Sequence, residues 1–338
     1  MSSSKVAAVV VTYNRKAQLL DCLNALRGQN VSLQSILIID NCSTDQTEKL
    51  LFDQGYINQI PPVEQADKIT LESYIPYSRT DSSKFGDDNI GLQVLYTRLP
   101  KNTGGAGGFY EGVKLGHELG FDWLWLMDDD GVAEADALKQ LLLKRDKAHF
   151  LNAMVIDIVH HDRLSFGLRL GDAVEGSKSR EAIENGALDG LIYGQANPFN
   201  GTLISKELIA QIGYPKKEMF IWGDEVDYQQ RASKSGLGVA TVTKAVHYHP
   251  QAIAKKLKLP IFNEEITWSG IPFKDYCNIR NTAYIHKQYF PKSVFTTITK
   301  YLIYFLSKGD FSSLALSVNA TWDGVFERWG REAKYLRS

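Results

Sequence analysis

Three consecutive acids, Asp128, Asp129 and Asp130, stand in a Met-Asp-Asp-Asp-Gly segment, Met127 to Gly131, at the end of an apolar run. Residues two apart in extended backbone point to the same side, so Asp128 and Asp130 can converge on one divalent cation while Asp129 turns away. Hard carboxylate oxygens suit Mg2+ or Mn2+, which bridges phosphate oxygens and neutralises charge on a departing diphosphate. Taken alone, such a tripeptide is more often a solvated turn ahead of a helix, so its weight depends on what else shares its edge of the fold.

Three other segments carry candidate chemistry. In Val-His-Tyr-His-Pro, His247 and His249 alternate to one side of a predicted strand and could give an imidazole nitrogen to the same cation. A lone His is usually structural, but a pair in register with a carboxylate cluster is harder to dismiss. In Phe220 to Arg231, Asp224 and Glu225 follow the chain-reversing Gly223 and bring a carboxylate into a loop. A Glu with an ordinary pKa near ~4.3 is ionised and competent as a general base, although acids at a helix start are also common for reasons of the helix dipole. Asp227 and Arg231, one turn apart, read as a structural ion pair. The glycine-rich Asn102 to Phe109 allows close backbone approach and leads to a helix N-terminus suited to anions. It lacks both the G-x-G-x-x-G spacing after a first strand and the Lys-Ser/Thr ending of a P-loop, which disfavours NAD binding and nucleoside triphosphate hydrolysis.

The elements that must position these residues follow from pattern. Val6 to Val11 is a β-branched run for a strand buried on both faces, and Leu19, Leu20, Leu23 and Leu26 recur at helical spacing after a predicted cap at Asn14. Ile36 to Ile39 is a second strand ending at Asp40, with Asp45 and Glu48 offering a capping box to the next helix. Two β-turn-α units in succession predict an α/β fold with a mixed, mostly parallel sheet flanked by helices. Further on, the pattern predicts a strand at Val94 to Tyr96, a turn over Asn102 to Gly108, a helix from Phe109 to Leu119 closed by Gly120, and a strand from Phe121 to Met127. A helix near Ala135 to Lys144, a strand near Ala153 to Ile158, a loop-rich stretch to His249 and a tail that is helical from about Asn278 complete the reading. We expect a catalytic domain over 1–250, with 53–92 inserted over a sheet edge, and a mainly helical extension over 251–338. Ligand sites in open α/β sheets lie beyond the carboxyl ends of the strands, where Asp40 and the Asp128 cluster would meet.

Composition narrows the classes. At 338 residues the chain can bury a full core, and its formal charge of -1, without a long Lys/Arg run, leaves no footprint for nucleic acid. Cys22, Cys42 and Cys277 form neither a disulfide framework nor a zinc spacing, which fits a reducing, cytoplasmic setting. The N-terminal run reads as a first strand, and no stretch approaches the ~20 apolar residues of a membrane span. The aromatic tail residues Tyr301, Tyr304, Phe305, Trp322, Phe326 and Trp329, with Lys and Arg nearby, suit core packing for the most part, and otherwise a partner helix or a membrane interface.

As an ordered set, V-V-T-Y-N-R, I-I-D-N-C-S-T-D, K-N-T-G-G-A-G-G-F, W-L-M-D-D-D, F-N-G, W-G-D-E-V-D-Y-Q-Q-R and V-H-Y-H-P resembles glycosyltransferase family 2, over roughly residues 5 to 250. Within it the glycine turn and triple Asp look most like bacterial galactofuranosyltransferases, and next like polysaccharide rhamnosyltransferases. The resemblance implies a GT-A fold and a metal-dependent, inverting transfer of galactofuranose from UDP-galactofuranose to a polysaccharide or lipid-linked glycan. Its rivals are transfer from dTDP-rhamnose and a non-catalytic glycan-binding scaffold. A sugar nucleotidyltransferase is disfavoured, since T-Y-N-R after the first strand lacks glycines.

The resemblance also implies roles. Asp40 would hydrogen-bond the base, with Thr12, Asn14 and Arg15 bordering the nucleotide and Asn102, Gly105 and Asp129 completing the donor side. Asp128, Asp130 and either His247 or His249 would hold Mn2+ or Mg2+. The base falls on Glu225 with Asp224 beside it; Trp222 would line the acceptor site, and Asn200 with Gly201 its wall. The partners implied are a nucleotide sugar and a glycan, with peripheral contact at the inner face of the membrane and self-association left open.

Overall fold

The run Val6–Thr12 (β1) is buried at every residue because its alternate side chains serve two layers. Ala8 and Val10 join Leu19, Leu23, Ile36, Ile38 and Trp125 on one face of a sheet, and Ala7, Val9 and Val11 join Leu37, Ile39, Phe109, Val113 and Leu126 on the other. A strand covered on both faces has no polar side to show, hence the unbroken apolar sequence.

The computed structural model describes residues 4–62, 67–76, 91–171, 173, 175–251, 255–260 and 264–336. After β1 come α1 (Lys16–Arg27), β2 (Ser35–Asp40), α2 (Thr47–Asp53), β3 (Ile69–Ile75), β4 (Leu92–Arg98), α3 (Gly104–Glu118), β5 (Trp123–Asp128), β6 (Val132–Ala133) and α4 (Ala137–Leu142). The second half holds β7 (Phe150–Asp157), β8 (Arg163–Leu168), β9 (Ser177–Ser179), α5 (Arg180–Asn185), β10 (Leu191–Tyr193), β11 (Asn200–Ser205), α6 (Lys206–Ile212), α7 (Asp224–Lys234) and β12 (Val239–His249). A hairpin of β13 (Lys256–Lys258) and β14 (Glu265–Thr267) leads to α8 (Pro272–Tyr289), α9 (Pro291–Lys308) and α10 (Phe311–Val325).

The main sheet runs β10-β12-β7-β11-β5-β1-β2-β4-β3. Strands β5, β1, β2 and β4 are parallel to one another, β3 and β11 flank them antiparallel, and β7 with β12 is again parallel. Thr12, Asp40 and Asp128 therefore end neighbouring strands at one edge, as the pattern predicts.

Several local expectations are corrected. The four glycines after Thr103 lie inside α3, which starts at Gly104 and not at Phe109. A Cβ at Gly108 would stand 2.4 Å from Val11 and one at Gly112 2.3 Å from Val9, so these positions let the helix lie directly on β1. Asn14 does not cap α1; it takes a left-handed φ of 54° and its side-chain oxygen accepts from the Thr44 N–H at 2.6 Å. The capping box is absent too: α2 begins after a left-handed Gln46, while Asp45 accepts from the Lys16 N–H at 3.1 Å and Glu48 turns toward Arg98 at 3.7 Å. Within 53–92, residues 63–66 and 77–90 lie outside the described residues, and 69–75 add β3 to the sheet edge. The stretch expected to be loop-rich before His249 contains β8, β9, β10 and β11, of three to six residues each and too brief to show a period, and then the eleven-residue β12.

In the C-terminal region Tyr276, Cys277, Ile279, Tyr301, Phe305, Leu316 and Ala320 form a cluster of their own. Helix α8 starts at Pro272, ahead of the expected Asn278, because Pro fits the first helical turn. Tyr301 and Phe305 are buried, whereas Trp322 (53% exposed) and Phe326 (52%) lie against each other, rings tilted, at the exposed C-terminal end of α10. Among the described residues no helix is long and apolar enough to cross a membrane.

Candidate active site

Strand β5 delivers Asp128 beside the end of β1, where the Asp128 N–H donates to the Phe199 carbonyl at 3.1 Å. Asp129, in the turn that follows β5, accepts from Thr12 Oγ1 at 2.7 Å and from the Tyr13 N–H at 3.4 Å. Arg15 reaches both Asp130, in a close ion pair, and Asp129 at 3.4 Å. Its guanidinium thus sits on the acids as their compensating cation.

The chain then pairs β6 with the end of β12, placing Val132 opposite Tyr248 and Ala133 opposite His247. This ladder separates the two histidines. His249 Nε2 lies 3.2 Å from Asp130 Oδ1, an ion-pair distance. His247 is fully buried behind Gly131, where a Cβ would stand 2.0 Å from its Nε2, and neither of its ring nitrogens has a hydrogen-bond partner among the described residues. Burial pushes His247 down to about 3, so it stays neutral. Burial would lower His249 as well, but Asp130 outweighs that and raises it.

The acids respond unequally. Burial, then repulsion from Asp130 and Asp129, pushes Asp128 up to about 8, and burial lifts Asp129 to about 6 against the pull of Thr12 and Arg15. Burial acts on Asp130 in the same sense, yet His249 and Arg15 overcome it and hold this carboxyl below the usual range. A protonation-prone Asp128 beside an ionised Asp130 is a site short of positive charge. Carboxylate and imidazole donors fit Mn2+ or Mg2+, although among the described residues no three such groups already converge on a cation position.

On the facing wall, Asp224 and Glu225 open α7, where the helix dipole favours acids. Glu225 Oε2 accepts from the Gly223 N–H at 2.7 Å. Burial and the adjacent Glu225 raise Asp224 well above an ordinary carboxyl, and it is close enough to Asp128 for their charges to interact. Burial raises Glu225 too, but its hydrogen bonds with Asp224 and the Gly223 N–H pull against that, while the same contact raises Asp224, so Asp224 is the member that keeps the proton and Glu225 the one that ionises first. Asp227 pairs with Arg231 at 2.9 Å, the structural role the spacing predicts. Ahead of α7, Phe220 (φ 65°) and Trp222 (φ 61°) occupy left-handed backbone, a strain typical of functional loops. Trp222 is 43% exposed on that loop.

Not every candidate joins this cleft. Asp40 is fully buried: it accepts from Tyr96 Oη at 2.5 Å, Arg98 at 3.0 Å and the Ser43 N–H at 2.8 Å, so its oxygens brace the 40–44 loop and do not face a base. Asn14 braces the same loop. Asn102 accepts from the Gly104 N–H at 2.7 Å, and Gly105 faces open space at the start of α3. Asn200 and Gly201 sit on β11, with Asn200 opposite Met127 and Gly201 against His247. Sequence reading missed Asn41, which accepts from Thr103 Oγ1 at 2.8 Å and donates to the Gly104 carbonyl at 2.7 Å, tying the glycine turn to β2.

Residues 7–57 match the description Glycosyl transferase family 2, and residues 84–269 match Glycosyltransferase like family 2. The chain belongs to this glycosyltransferase family. This family 2 glycosyltransferase is 29% identical over 291 residues to the galactofuranosyltransferase GlfT1 of Mycobacterium tuberculosis H37Rv, covering 85% of the chain and 83% of the relative. It is 29% identical over 249 residues to GlfT1 of Mycolicibacterium smegmatis, covering 72% and 70%. Among solved structures it resembles GalNAc-T7 with UDP, GalNAc and Mn2+, at a TM-score of 0.52 and 12% identity over 85% of this chain and 48% of that one. Staphylococcus aureus TarS 1-349 with UDP-GlcNAc gives a TM-score of 0.49 at 13% identity, covering 94% and 73%. The fold is GT-A, and the chain is a transferase of sugars.

Proposed function

We propose that this enzyme transfers galactofuranose from UDP-galactofuranose to a polysaccharide or lipid-linked glycan acceptor, with inversion at the anomeric carbon. The observation that carries the catalytic part is the meeting of Asp128 and Asp130, His249 and the Asp224–Glu225 pair at the carboxyl edge of one sheet. The sugar and nucleotide are supported by the similarity to galactofuranosyltransferases over most of the chain. Residues 1–250 act as the transferase domain and 251–338 as its helical extension.

In this reading Asp128, Asp130 and His249 hold Mn2+ or Mg2+, which when bound neutralises charge on the departing diphosphate. Thr12 and Arg15 border the donor. Glu225, the member of its pair that keeps its charge, takes the proton from an acceptor hydroxyl; that oxygen attacks the anomeric carbon as the bond to the diphosphate breaks. Trp222 offers its exposed ring to the acceptor sugar.

The test is purified protein with a glycan acceptor and, in turn, UDP-galactofuranose, UDP-galactopyranose and dTDP-rhamnose. A new galactofuranoside of inverted configuration by NMR is the expected product. Transfer from dTDP-rhamnose alone overturns the donor assignment, and a retained configuration overturns the single displacement.

A further inference from the structure

The loop that carries Trp222 and Glu225 does not support itself. Between Met219 and Gly223 its backbone turns through left-handed Phe220 and Trp222, and the Ile221 N–H closes a tight turn on the Met219 carbonyl at 2.8 Å. Most of the carbonyls this path turns inward are met by one residue outside the transferase sheet. Asn281, buried on α8, brings the two hydrogens of Nδ2 within reach of three carbonyls, Met219 at 2.9 Å, Ile221 at 2.9 Å and Trp222 at 2.6 Å, so one hydrogen is shared between two of them.

Its neighbour fixes the amide's orientation. Arg280 Nε donates to Asn281 Oδ1 at 3.0 Å, which leaves Nδ2 aimed at the loop, and a terminal nitrogen of Arg280 donates to the Met219 carbonyl at 2.9 Å. Arg280 is itself buried, paired with Glu332 and 5.0 Å from the Trp329 ring. The contact continues to the glycine turn: the Phe220 carbonyl accepts from the Ala106 N–H at 3.1 Å, and Ala106, Met219, Tyr284 and Ile285 pack as one cluster. Gly104 can carry no side chain there, since its Cβ would stand 2.0 Å from the Phe220 oxygen.

We propose that Asn281, oriented by Arg280, is a positioning residue for glycosyl transfer: it holds the strained 219–223 loop so that Trp222 and Glu225 face the acceptor. The C-terminal helices are then part of the catalytic unit. This rests on the acceptor-side reading of Trp222 and Glu225 given above. Asn281 touches neither substrate; it acts through the loop.

The test compares full-length wild type with Asn281→Ala in three measurements: hydrogen exchange of the 217–224 segment, UDP affinity with Mn2+, and transfer kinetics. The expected result is exchange of 217–224 faster by about tenfold or more, with 109–118 and 239–249 unchanged. UDP affinity stays within about twofold, and kcat falls about 10- to 100-fold, the scale of a reacting group misplaced by an ångström. Wild-type exchange at 217–224, or transfer and UDP affinity lost together in proportion to unfolded protein, overturns the proposal. Should Asn281→Ala fail to fold, Arg280→Lys keeps the charge facing Glu332 and removes the bond that orients Asn281, and it is read in the same way with a smaller effect. Wild-type protein that binds UDP but transfers no sugar overturns the acceptor-side reading, while the exchange contrast still decides whether Asn281 holds the loop.

Discussion

The two walls of the cleft are built on different principles. The wall with Asp128, Asp130 and His249 is carried by the end of β5, the turn that follows it and the end of β12, and both strands have ladders on both sides. The facing wall is a loop in left-handed backbone, held by side chains from α8. Groups fixed by ladders keep their places whatever their neighbours do, whereas groups on a braced loop depend on the brace. Damage to the first wall should thus be chemical and local, and damage to the second geometric and transmissible from a distance.

The largest effect that sharpens this contrast comes from Asp130→Ala. It leaves β5 and its folding cooperativity intact but removes several kcal/mol of charge stabilisation, an expected fall in transfer of roughly 10³-fold. Thermal unfolding and donor turnover on one preparation check it; a protein that keeps its rate breaks the donor-side assignment. On the other wall, Glu225→Gln keeps shape and hydrogen-bonding capacity while abolishing the base. We expect kcat to drop by roughly 10²- to 10³-fold, with UDP affinity unchanged by calorimetry. An equal drop for Asp224→Asn would show that the pair works as a unit.

A smaller effect separates the histidines. His249→Leu should weaken Mn2+ binding about 10- to 100-fold, the size seen when groups around a metal are altered. His247→Leu should leave Mn2+ affinity unchanged, since its buried nitrogens have no partner to lose. Isothermal titration decides between them.

The smallest effect is a pH dependence of stability. Asp128 keeps its proton in the metal-free fold up to about 8, while the unfolded chain releases it near ~3.9. The folded state therefore binds the extra proton between those values, and its stability falls as pH rises through that window. Mn2+ favours the ionised carboxylate, so it should raise the melting temperature more at pH 8 than at pH 6, by on the order of 2–4 °C. An equal or reversed Mn2+ effect would place Asp128 outside the metal set.

What could be read in the sequence divides along the same line. The strands of the sheet wall were legible because β-branched and apolar runs announce them, but Asp129 and Asp130 lie in the turn beyond β5, where alternation no longer fixes a direction and Arg15 reaches both acids. Asp40 was misjudged, as its partners Tyr96 and Arg98 are more than fifty positions away and only the β2–β4 register brings them together. Tyr96 and Arg98, two apart on one strand, were the available sign of a polar cluster aimed at a neighbour. The glycines of α3 read as a turn because their helix propensity is poor, while the close approach to β1 that requires them is a tertiary fact. Asn281 offered no sign at all: a buried Asn in a helix looks like any other until the carbonyls it meets are known.

The short strand β6 has a consequence for how this enzyme can change. Because β6 follows the triple Asp directly and pairs with β12 at His247 and Tyr248, two parts of the site more than a hundred residues apart are stapled by backbone alone. The chain between β7 and β11 leaves and returns without passing through that staple. That segment still touches the cation side, since Ser165 Oγ donates to the His249 carbonyl at 2.7 Å, the Phe166 ring lies 5.3 Å from that of His249 and the Phe199 carbonyl accepts from the Asp128 N–H at 3.1 Å, so a graft between β7 and β11 must keep those three residues if the acids and His249 are to stay where they are.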